Sequence, residues 1–162
     1  MSVVRVAVVQ AAPVVFDRDR TIEMVRDLAA DAAHSDAGLV LFPEAFVPAY
    51  PKGLDFGARV GSRTPEGRED FRRYYDSAVD VPGPACAALG AAARLAGVHL
   101  VIGVIERDGG TLYCTVLFFA PDGTLLGKHR KLTPTAVERL VWVSATAPPR
   151  RHSILPLAAS AR

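Results

Sequence analysis

Three ionisable residues of this sequence have types and positions that could do chemistry. Glu44 follows a short apolar run at residues 38–42, and Lys131 and Glu138 lie within about two helical turns of each other in the stretch 127–142. A glutamate and a lysine that are held close keep each other charged, because each stabilises the ionised form of the other. The pattern therefore indicates a charged site suited to acid–base and electrostatic chemistry.

Each of these residues also has a simpler structural interpretation. A glutamate after a strand is more often a solvated loop residue than a catalytic group. Lys131 belongs to a run with Lys128 and Arg130 that is equally typical of a solvated basic surface. Glu138 fits an ordinary helix surface as well as it fits a site, and His129 is expected to be a structural hydrogen-bonding residue rather than a base. The flanking sequence has to separate these alternatives.

The elements that must position Glu44 form a β-α-β unit at the start of the chain. Residues 3–9 are a β-branched run that predicts a mostly buried strand, and residues 19–34 show apolar positions at helical spacing. The apolar run at 38–42 is typical of a buried parallel strand after a crossover helix. Ligands of open α/β sheets gather at the carboxyl ends of strands, so Glu44 falls where chemistry is expected.

The rest of the chain predicts a pocket rim, two helices and an antiparallel edge of the sheet. Residues 48–66 are rich in Pro and Gly and lack periodicity, which is typical of a functional excursion that shapes a pocket mouth. A short surface helix is predicted at 69–76, and an Ala-rich helix at 85–96 is closed by Gly97. Further strands are predicted at 100–105, 111–120 and 124–126, separated by turns at 108–110 and 121–123.

Length and composition favour one globular domain. The chain has 162 residues, of which 50% are hydrophobic and 22% charged, and this mixture excludes a disordered class. Its net charge of +2 is carried by scattered rather than clustered Lys and Arg, so neither nucleic acid nor an anionic membrane is an expected partner. The apolar N-terminal run is short and is interrupted by Arg5 and Gln10, which predicts neither a signal peptide nor a membrane span.

The cysteine content indicates a reduced protein without a metal. Cys86 and Cys114 show neither CxxC spacing nor a histidine at ligand distance, so a metal site and a disulfide framework are not expected. Cys86 lies in the Ala-rich helix and Cys114 in an apolar strand, where a buried cysteine is usually structural. A cytoplasmic location fits this pattern best.

Two segments carry a family resemblance. FPEAF at residues 42–46 and HRKLTPT at 129–135 resemble a nitrilase of the carbon-nitrogen hydrolase superfamily. The segments PAYPKG, GSRTPEGREDFRRYY and VPGP resemble the nitrilase branch more than the amidase or ureidopropionase branches. The resemblance implies an α/β fold, the four-layer αββα sandwich of nitrilases, of which this chain would form an incomplete N-terminal part.

The same resemblance implies a reaction and its residues. Members of the superfamily use a Glu, Lys and Cys set, and position by position Glu44 matches the general base and Lys131 the electrophilic partner. Glu138 matches a second glutamate that assists at such sites. The resemblance further implies a small nitrile or amide substrate, a homo-oligomer and no cofactor. Because a nitrile carbon is a poor electrophile, it needs both a sulfur nucleophile and a positive group near the developing nitrogen anion.

The nucleophile is the point at which the chain departs from the family pattern. The family cysteine follows a Gly-rich segment resembling WGxGDGST some two dozen residues after the position of Trp142, whereas here the chain continues WVSATAPPRRHSILPLAASAR. The residues after Arg139 include no Asp, Glu or Gly, unlike every earlier stretch. We therefore expect this chain to lack the catalytic cysteine and to be inactive as written.

A shifted reading frame explains this departure. If one G is restored after the Trp142 codon, codons allowed for residues 143–149 re-read as Gly-Val-Gly-Asp-Gly-Ser-Thr. Codons near the end re-read as Arg-Val-Gly-Ala, which resembles the strand that leads into the nucleophile. The expected organisation is thus a nitrilase N-terminal part at 1–142 and an out-of-frame tail at 143–162.

Two alternatives remain open from sequence alone. The chain could be a non-catalytic assembly partner or ligand-binding remnant of the same fold. It could also be an incomplete domain that exposes a sheet edge and a core face and therefore aggregates.

Overall fold

The computed structural model describes residues 3–146. Most of the tail predicted to be out of frame, residues 147–162, lies outside the described residues. The described part is a six-stranded mixed sheet with helices, and β3 pairs with β4 beside the main strand order β1-β2-β4-β5-β6. The elements in chain order are β1 (Val6–Val8), α1 (Arg18–His34), β2 (Leu39–Leu41), α2 (Pro65–Asp76), β3 (Val79–Asp80), α3 (Pro84–Ala96), β4 (His99–Asp108), β5 (Thr111–Phe119) and β6 (Leu125–Arg130), followed by a 3₁₀ helix (Ala136–Leu140).

The predicted β-α-β unit is confirmed. β1 and β2 pair in parallel, with Ala7 opposite Val40, and β2 continues in parallel onto β4. Helix α1 begins where the Asp17 side chain accepts a hydrogen bond of 3.0 Å from the backbone N–H of Arg20, which satisfies one of the free N–H groups of the first turn. The unit therefore places the end of β2, and the residues that follow it, beside the centre of the sheet.

The antiparallel edge is also confirmed. β4, β5 and β6 follow one another as neighbouring antiparallel strands, so that Gly103 lies opposite Val116 and Val116 opposite His129. α3 packs with α1 and ends at Gly97, whose φ of +66° is a conformation that glycine adopts without strain. None of the helices in residues 3–146 is long and apolar enough to cross a bilayer.

Two groups of buried side chains form the core. The larger one lies between the sheet and the two packed helices, and the smaller one lies around Tyr74 and Trp142. The Trp142 indole N–H donates to the Tyr74 hydroxyl at 3.1 Å, and both side chains are fully buried. Core members on the strands include Val40, Leu100, Ile102, Val104, Leu117 and Phe119.

A buried ionic group fixes β6 against its neighbours. The side chain of Glu106 on β4 is 1% exposed and accepts hydrogen bonds from Lys128 and Arg130 of β6 and from Thr115 of β5. Arg130 also contacts Asp108 at 2.7 Å. Because Lys128 and Arg130 both bind the same buried carboxylate, β6 has one favoured position relative to β4.

Three sequence predictions are wrong in detail. The first strand is not mostly buried, since Val6 and Val8 are 51% and 72% exposed on an edge strand whose apolar face no described residue covers. Helix α2 is not only a surface helix, because it starts at Pro65 and buries Tyr74 completely. The strand predicted at 124–126 extends to Arg130, since the Glu106 group and the pairing with β5 hold the basic residues in the sheet.

Candidate active site

Glu44 lies on a turn that is packed directly onto β4. The backbone N–H of Gly103 donates to the Pro43 carbonyl at 3.2 Å, and that of Val47 donates to the Gly103 carbonyl at 3.3 Å. A Cβ atom at Gly103 would lie 2.6 Å from the Glu44 Cα and 2.4 Å from the Pro43 carbonyl oxygen. The turn can therefore approach β4 this closely only because position 103 is a glycine.

The residue after Glu44 has an unusual backbone. Ala45 is fully buried and has a φ of +50°, a left-handed conformation that is costly for a residue with a Cβ atom. The hydrogen bonds to β4 on both sides of it hold this conformation in place. The position of the Glu44 side chain is thus fixed by backbone packing rather than by a flexible loop.

Lys131 follows the last residue of β6 and joins the two glutamates. Its backbone N–H donates to the Cys114 carbonyl at 2.7 Å, which continues the pairing with β5 by one residue. Its Nζ lies 2.9 Å from Oε1 of Glu44 and 2.9 Å from Oε2 of Glu138. The structure therefore brings together all three residues that the sequence singled out.

Glu138 is held on the short 3₁₀ helix by donors on both of its oxygens. Oε2 accepts the backbone N–H of Thr135 at 2.6 Å in addition to Lys131, and Oε1 accepts the Tyr50 hydroxyl at 2.9 Å. Partial burial works to raise the pKa of Glu138, but these hydrogen bonds from Thr135, Lys131 and Tyr50 outweigh it and hold that pKa below its usual value. Glu138 is consequently a fixed carboxylate at neutral pH.

The lysine is fixed in its charged form for the same reason. Burial works to lower the pKa of Lys131, but the hydrogen bonds to Glu44 and Glu138 are stronger and raise that pKa above its ordinary value. The ammonium group has three N–H donors, of which two are used by the glutamates. Within residues 3–146 one donor is left for another group.

Glu44 and Lys131 open into a cavity of about 420 Å³. Its walls combine these two charged residues with apolar ones, and the residues that line it are Leu41, Phe42, Glu44, Gly103, Cys114, Thr115, Val116, His129, Lys131 and Leu132. His129 is exposed on this wall and makes no side-chain hydrogen bond within residues 3–146, so nothing in the described part of the chain supports the expectation that it is a structural hydrogen-bonding residue. Side chains of a strand alternate between the two faces of the sheet. Lys128 and Arg130, the neighbours of His129 on β6, point to the face that carries Glu106, so His129 points to the opposite face and the cavity.

Sequence reasoning missed two residues of this site. Cys114 donates its thiol to Oε1 of Glu44 at an Sγ–O distance of 3.3 Å, and Tyr50 reaches Glu138 from the long excursion after β2. The ring of Tyr50 also packs edge-on against Trp142, with ring centroids 5.6 Å apart. That the excursion shapes a pocket mouth stays a prediction, because no residue of 48–66 lines the cavity of Glu44 and Lys131, and no sequence pattern marked Tyr50 itself.

The remaining candidate chemistry in the described residues is limited. Cys86 and Cys114 are both buried and unbridged, as expected, but Cys114 also contacts Glu44 and is therefore not only structural. No group of three His, Cys, Asp or Glu side chains within residues 3–146 is placed to hold a metal ion. The site is therefore described by its glutamates, its lysine and the thiol beside them.

Comparison with known proteins identifies the family. The carbon-nitrogen hydrolase model matches residues 5–160, and the chain belongs to the carbon-nitrogen hydrolase family. It is 56% identical over 142 residues to an aliphatic nitrilase of Sinorhizobium fredii, covering 88% of this chain and 46% of that protein. It is 54% identical over 139 residues to a bifunctional nitrilase/nitrile hydratase, NIT4A, of Lupinus angustifolius, covering 86% of this chain and 40% of that protein.

Solved structures show the same fold. An amidase from Nesterenkonia sp. superposes with a TM-score of 0.67 at 22% identity, covering 92% of this chain and 51% of the amidase chain. The mixed sheet with its helices is thus the fold of the nitrilase superfamily, present here in part. The chain spans less than half the length of the nitrilase relatives it matches.

Proposed function

We propose that this chain carries the Glu-Lys-Glu part of a nitrilase site that converts a nitrile and water to a carboxylic acid and ammonia. The observation that carries the proposal is the Lys131 ammonium group, which lies 2.9 Å from both Glu44 and Glu138 beside a partly apolar cavity. The hydrolase lineage supports it, because the relatives that match most of this chain are named nitrilases.

The two glutamates differ in how many of their carboxylate oxygens accept hydrogen bonds, and this difference suits different roles. Both donors to Glu44 reach Oε1, and no described residue donates to its Oε2. Both oxygens of Glu138 are occupied by donors. Glu44 can therefore accept a proton from an attacking nucleophile, whereas Glu138 holds Lys131 in position.

Lys131 suits the stabilisation of negative charge on the substrate. As a nucleophile adds to the carbon of R–C≡N, the electron pair of one C–N π bond moves to nitrogen, and the third N–H of Lys131 can meet that charge. A proton then passes to the nitrogen, and addition of two water molecules in all gives R–COOH and NH₃. Neither a metal nor an organic cofactor is required by this sequence of steps.

A nitrile is favoured over an amide as the substrate. The sequence relatives are nitrilases at more than half identity, while the amidase likeness, at 22% identity, concerns the fold. The charged residues that line the cavity are Glu44 and Lys131, and Leu41, Phe42 and Leu132 make part of its wall apolar. This wall suits the hydrocarbon part of a small nitrile.

Neither cysteine of the chain is suited to act as the nucleophile. Burial, together with the negative charge and hydrogen bond of Glu44, raises the pKa of Cys114 to about 12. Burial also raises the pKa of Cys86, which lies on the buried face of α3. Thiols with raised pKa values are inert at neutral pH, so the 162-residue chain is expected not to turn over nitriles.

The test compares two forms of the gene. The 162-residue chain should release no ammonia from aliphatic or aromatic nitriles above its own Lys131→Ala variant. Restoring one G after the Trp142 codon should give a longer chain with a cysteine near the present end, and that chain should release ammonia. Activity of the short chain would contradict the proposal, and so would a restored frame that stops early or lacks the cysteine.

A further inference from the structure

Cys114 makes a contact that its buried position on a strand does not require. It lies on β5 opposite Ile105 of β4, and its carbonyl accepts the backbone N–H of Lys131. Its thiol lies 3.3 Å from Oε1 of Glu44, although 70 residues separate the two in sequence. The cysteine side chain thus faces the cavity and touches the residue proposed as the general base.

Two donors converge on one oxygen of Glu44. Lys131 Nζ and Cys114 Sγ both reach Oε1, and no donor within residues 3–146 reaches Oε2. The terminal torsion of a glutamate is broad, so a carboxylate held by one donor can rotate about that hydrogen bond. A second donor from a different strand fixes the plane of the carboxylate, and the oxygen without a donor then points in one direction.

We infer that Cys114 is a positioning residue, which holds Glu44 so that Lys131 is bound by Oε1 while Oε2 is presented as the basic oxygen. This role rests on the proposed function only in naming Oε2 as the base. The orientation itself is a property of the folded chain and can be measured without turnover.

Chemical alternatives for the thiol are less consistent with its surroundings. A nucleophilic role requires a thiolate, and the site already holds two carboxylates against one ammonium group. A further negative charge next to Glu44 is unfavourable, which agrees with the raised pKa of Cys114. A donor role needs only the protonated thiol that these surroundings favour.

The first test follows the reactivity of Lys131 in the full chain. Only the uncharged amine is acetylated by acetic anhydride, so loosening of the Glu44 contact should speed acetylation of Lys131. Lys128 serves as an internal reference, because it lies on the same strand and is bound to Glu106 instead. Mass spectrometry gives the ratio of the two rates in one sample.

Comparison of the unsubstituted chain with two variants separates hydrogen-bond donation by Cys114 from the packing of its side chain. In Cys114→Ala the Lys131 to Lys128 rate ratio should rise about threefold or more, the change produced by half a pKa unit. In Cys114→Ser, whose hydroxyl can donate, the ratio should return close to that of the unsubstituted chain. An unchanged ratio in Cys114→Ala, or an equal rise in both variants, would overturn the inference.

A second measurement remains decisive if the alanine variant folds poorly. In a Cys86→Ser background, Cys114 is the sole thiol, and its alkylation rate can be followed against pH. Glu44→Gln removes the neighbouring negative charge and should speed alkylation at a fixed alkaline pH, whereas Glu23→Gln on the exposed face of α1 should not. Equal rates in the two variants would show that Cys114 does not contact Glu44. That result would overturn the role of Cys114 and leave the hydrolase proposal standing. Faster alkylation in Glu44→Gln, together with no nitrile hydrolysis by the longer chain, would support the role of Cys114 and contradict the hydrolase proposal.

Discussion

The Nζ atom of Lys131 lies 2.9 Å from Oε1 of Glu44, although the two residues are 87 positions apart in the chain. Glu44 arrives from the turn after β2, and Lys131 arrives at the end of β6, two strands further along the sheet from β4. Their contact therefore depends on how closely the Glu44 turn packs on β4 and on how firmly β6 is held. Each dependence can be tested separately.

Substitution of Gly103 should displace Glu44. In Gly103→Ala the new Cβ would meet the Pro43 carbonyl and the Glu44 backbone at 2.4–2.6 Å, so the turn has to move away from β4. Overpacking of this kind costs about 1–3 kcal/mol of unfolding free energy. Denaturant unfolding should show this loss, and acetylation of Lys131 should become faster.

Gly127→Ala is the matched control for that change. Gly127 lies on β6, and a Cβ atom there would have no neighbour within 4 Å. Its effect on stability and on Lys131 acetylation should be small. Equal effects of the two substitutions would show that the Glu44 turn does not depend on close packing against position 103.

The sequence could predict those features of the site that depend on residues close together in the chain. The apolar run before Glu44 and the FPEAF segment placed that glutamate at the carboxyl end of a central strand, where the structure has it. The short spacing between Lys131 and Glu138 likewise predicted their proximity, now measured at 2.9 Å. Their catalytic roles stay predictions.

The part that sequence could not predict depends on strand register and on long loops. Whether Cys114 faces Glu44 or the opposite side of the sheet is decided by the pairing of β5 with β4, and a shift of one residue would reverse it. Tyr50 reaches Glu138 across 88 positions from a segment without periodicity. The exposure of β1 depends on what covers the sheet rather than on the apolar run itself.

Loss of the buried carboxylate that anchors β6 should be costly. Glu106→Gln leaves Lys128 and Arg130 beside a neutral group in a buried position, and removing one partner of such a group costs about 3–5 kcal/mol. Denaturant unfolding should show a loss of this size. Asp108→Asn, which removes an exposed partner of Arg130, is the control and should change stability little.

The same carboxylate should shape the acid unfolding of the chain. Burial works to raise the pKa of Glu106, but hydrogen bonds from Arg130, Lys128 and Thr115 outweigh it and lower that pKa. The stabilisation is complete above the unfolded-state value of about 4.3 and is lost as pH falls through the lower folded-state value. Thermal unfolding should therefore show a steeper loss of stability below about pH 4.3 in the unsubstituted chain than in Glu106→Gln. Parallel pH dependences would contradict the assigned role of Glu106.

The apolar face of β1, which no described residue covers, should promote self-association. Val8 is 72% exposed on an edge strand, and unpaired strand edges and apolar patches are sites of association. Val8→Lys should lower the concentration-dependent light scattering of the 162-residue chain. Val60→Lys, at a fully exposed loop position away from the sheet, is the matched control. Equal scattering in the two variants would argue against association through β1.

Ammonia release by the frame-restored chain tests the central proposal most directly. With one G restored after the Trp142 codon, the longer chain should hydrolyse nitriles, and Glu44→Gln and Lys131→Ala should each reduce turnover by about a hundredfold or more, as removal of a transition-state donor does. Circular dichroism should show that both variants keep the fold. Ammonia release that is undiminished in either variant, or release by the 162-residue chain above its Lys131→Ala control, would contradict the proposed site.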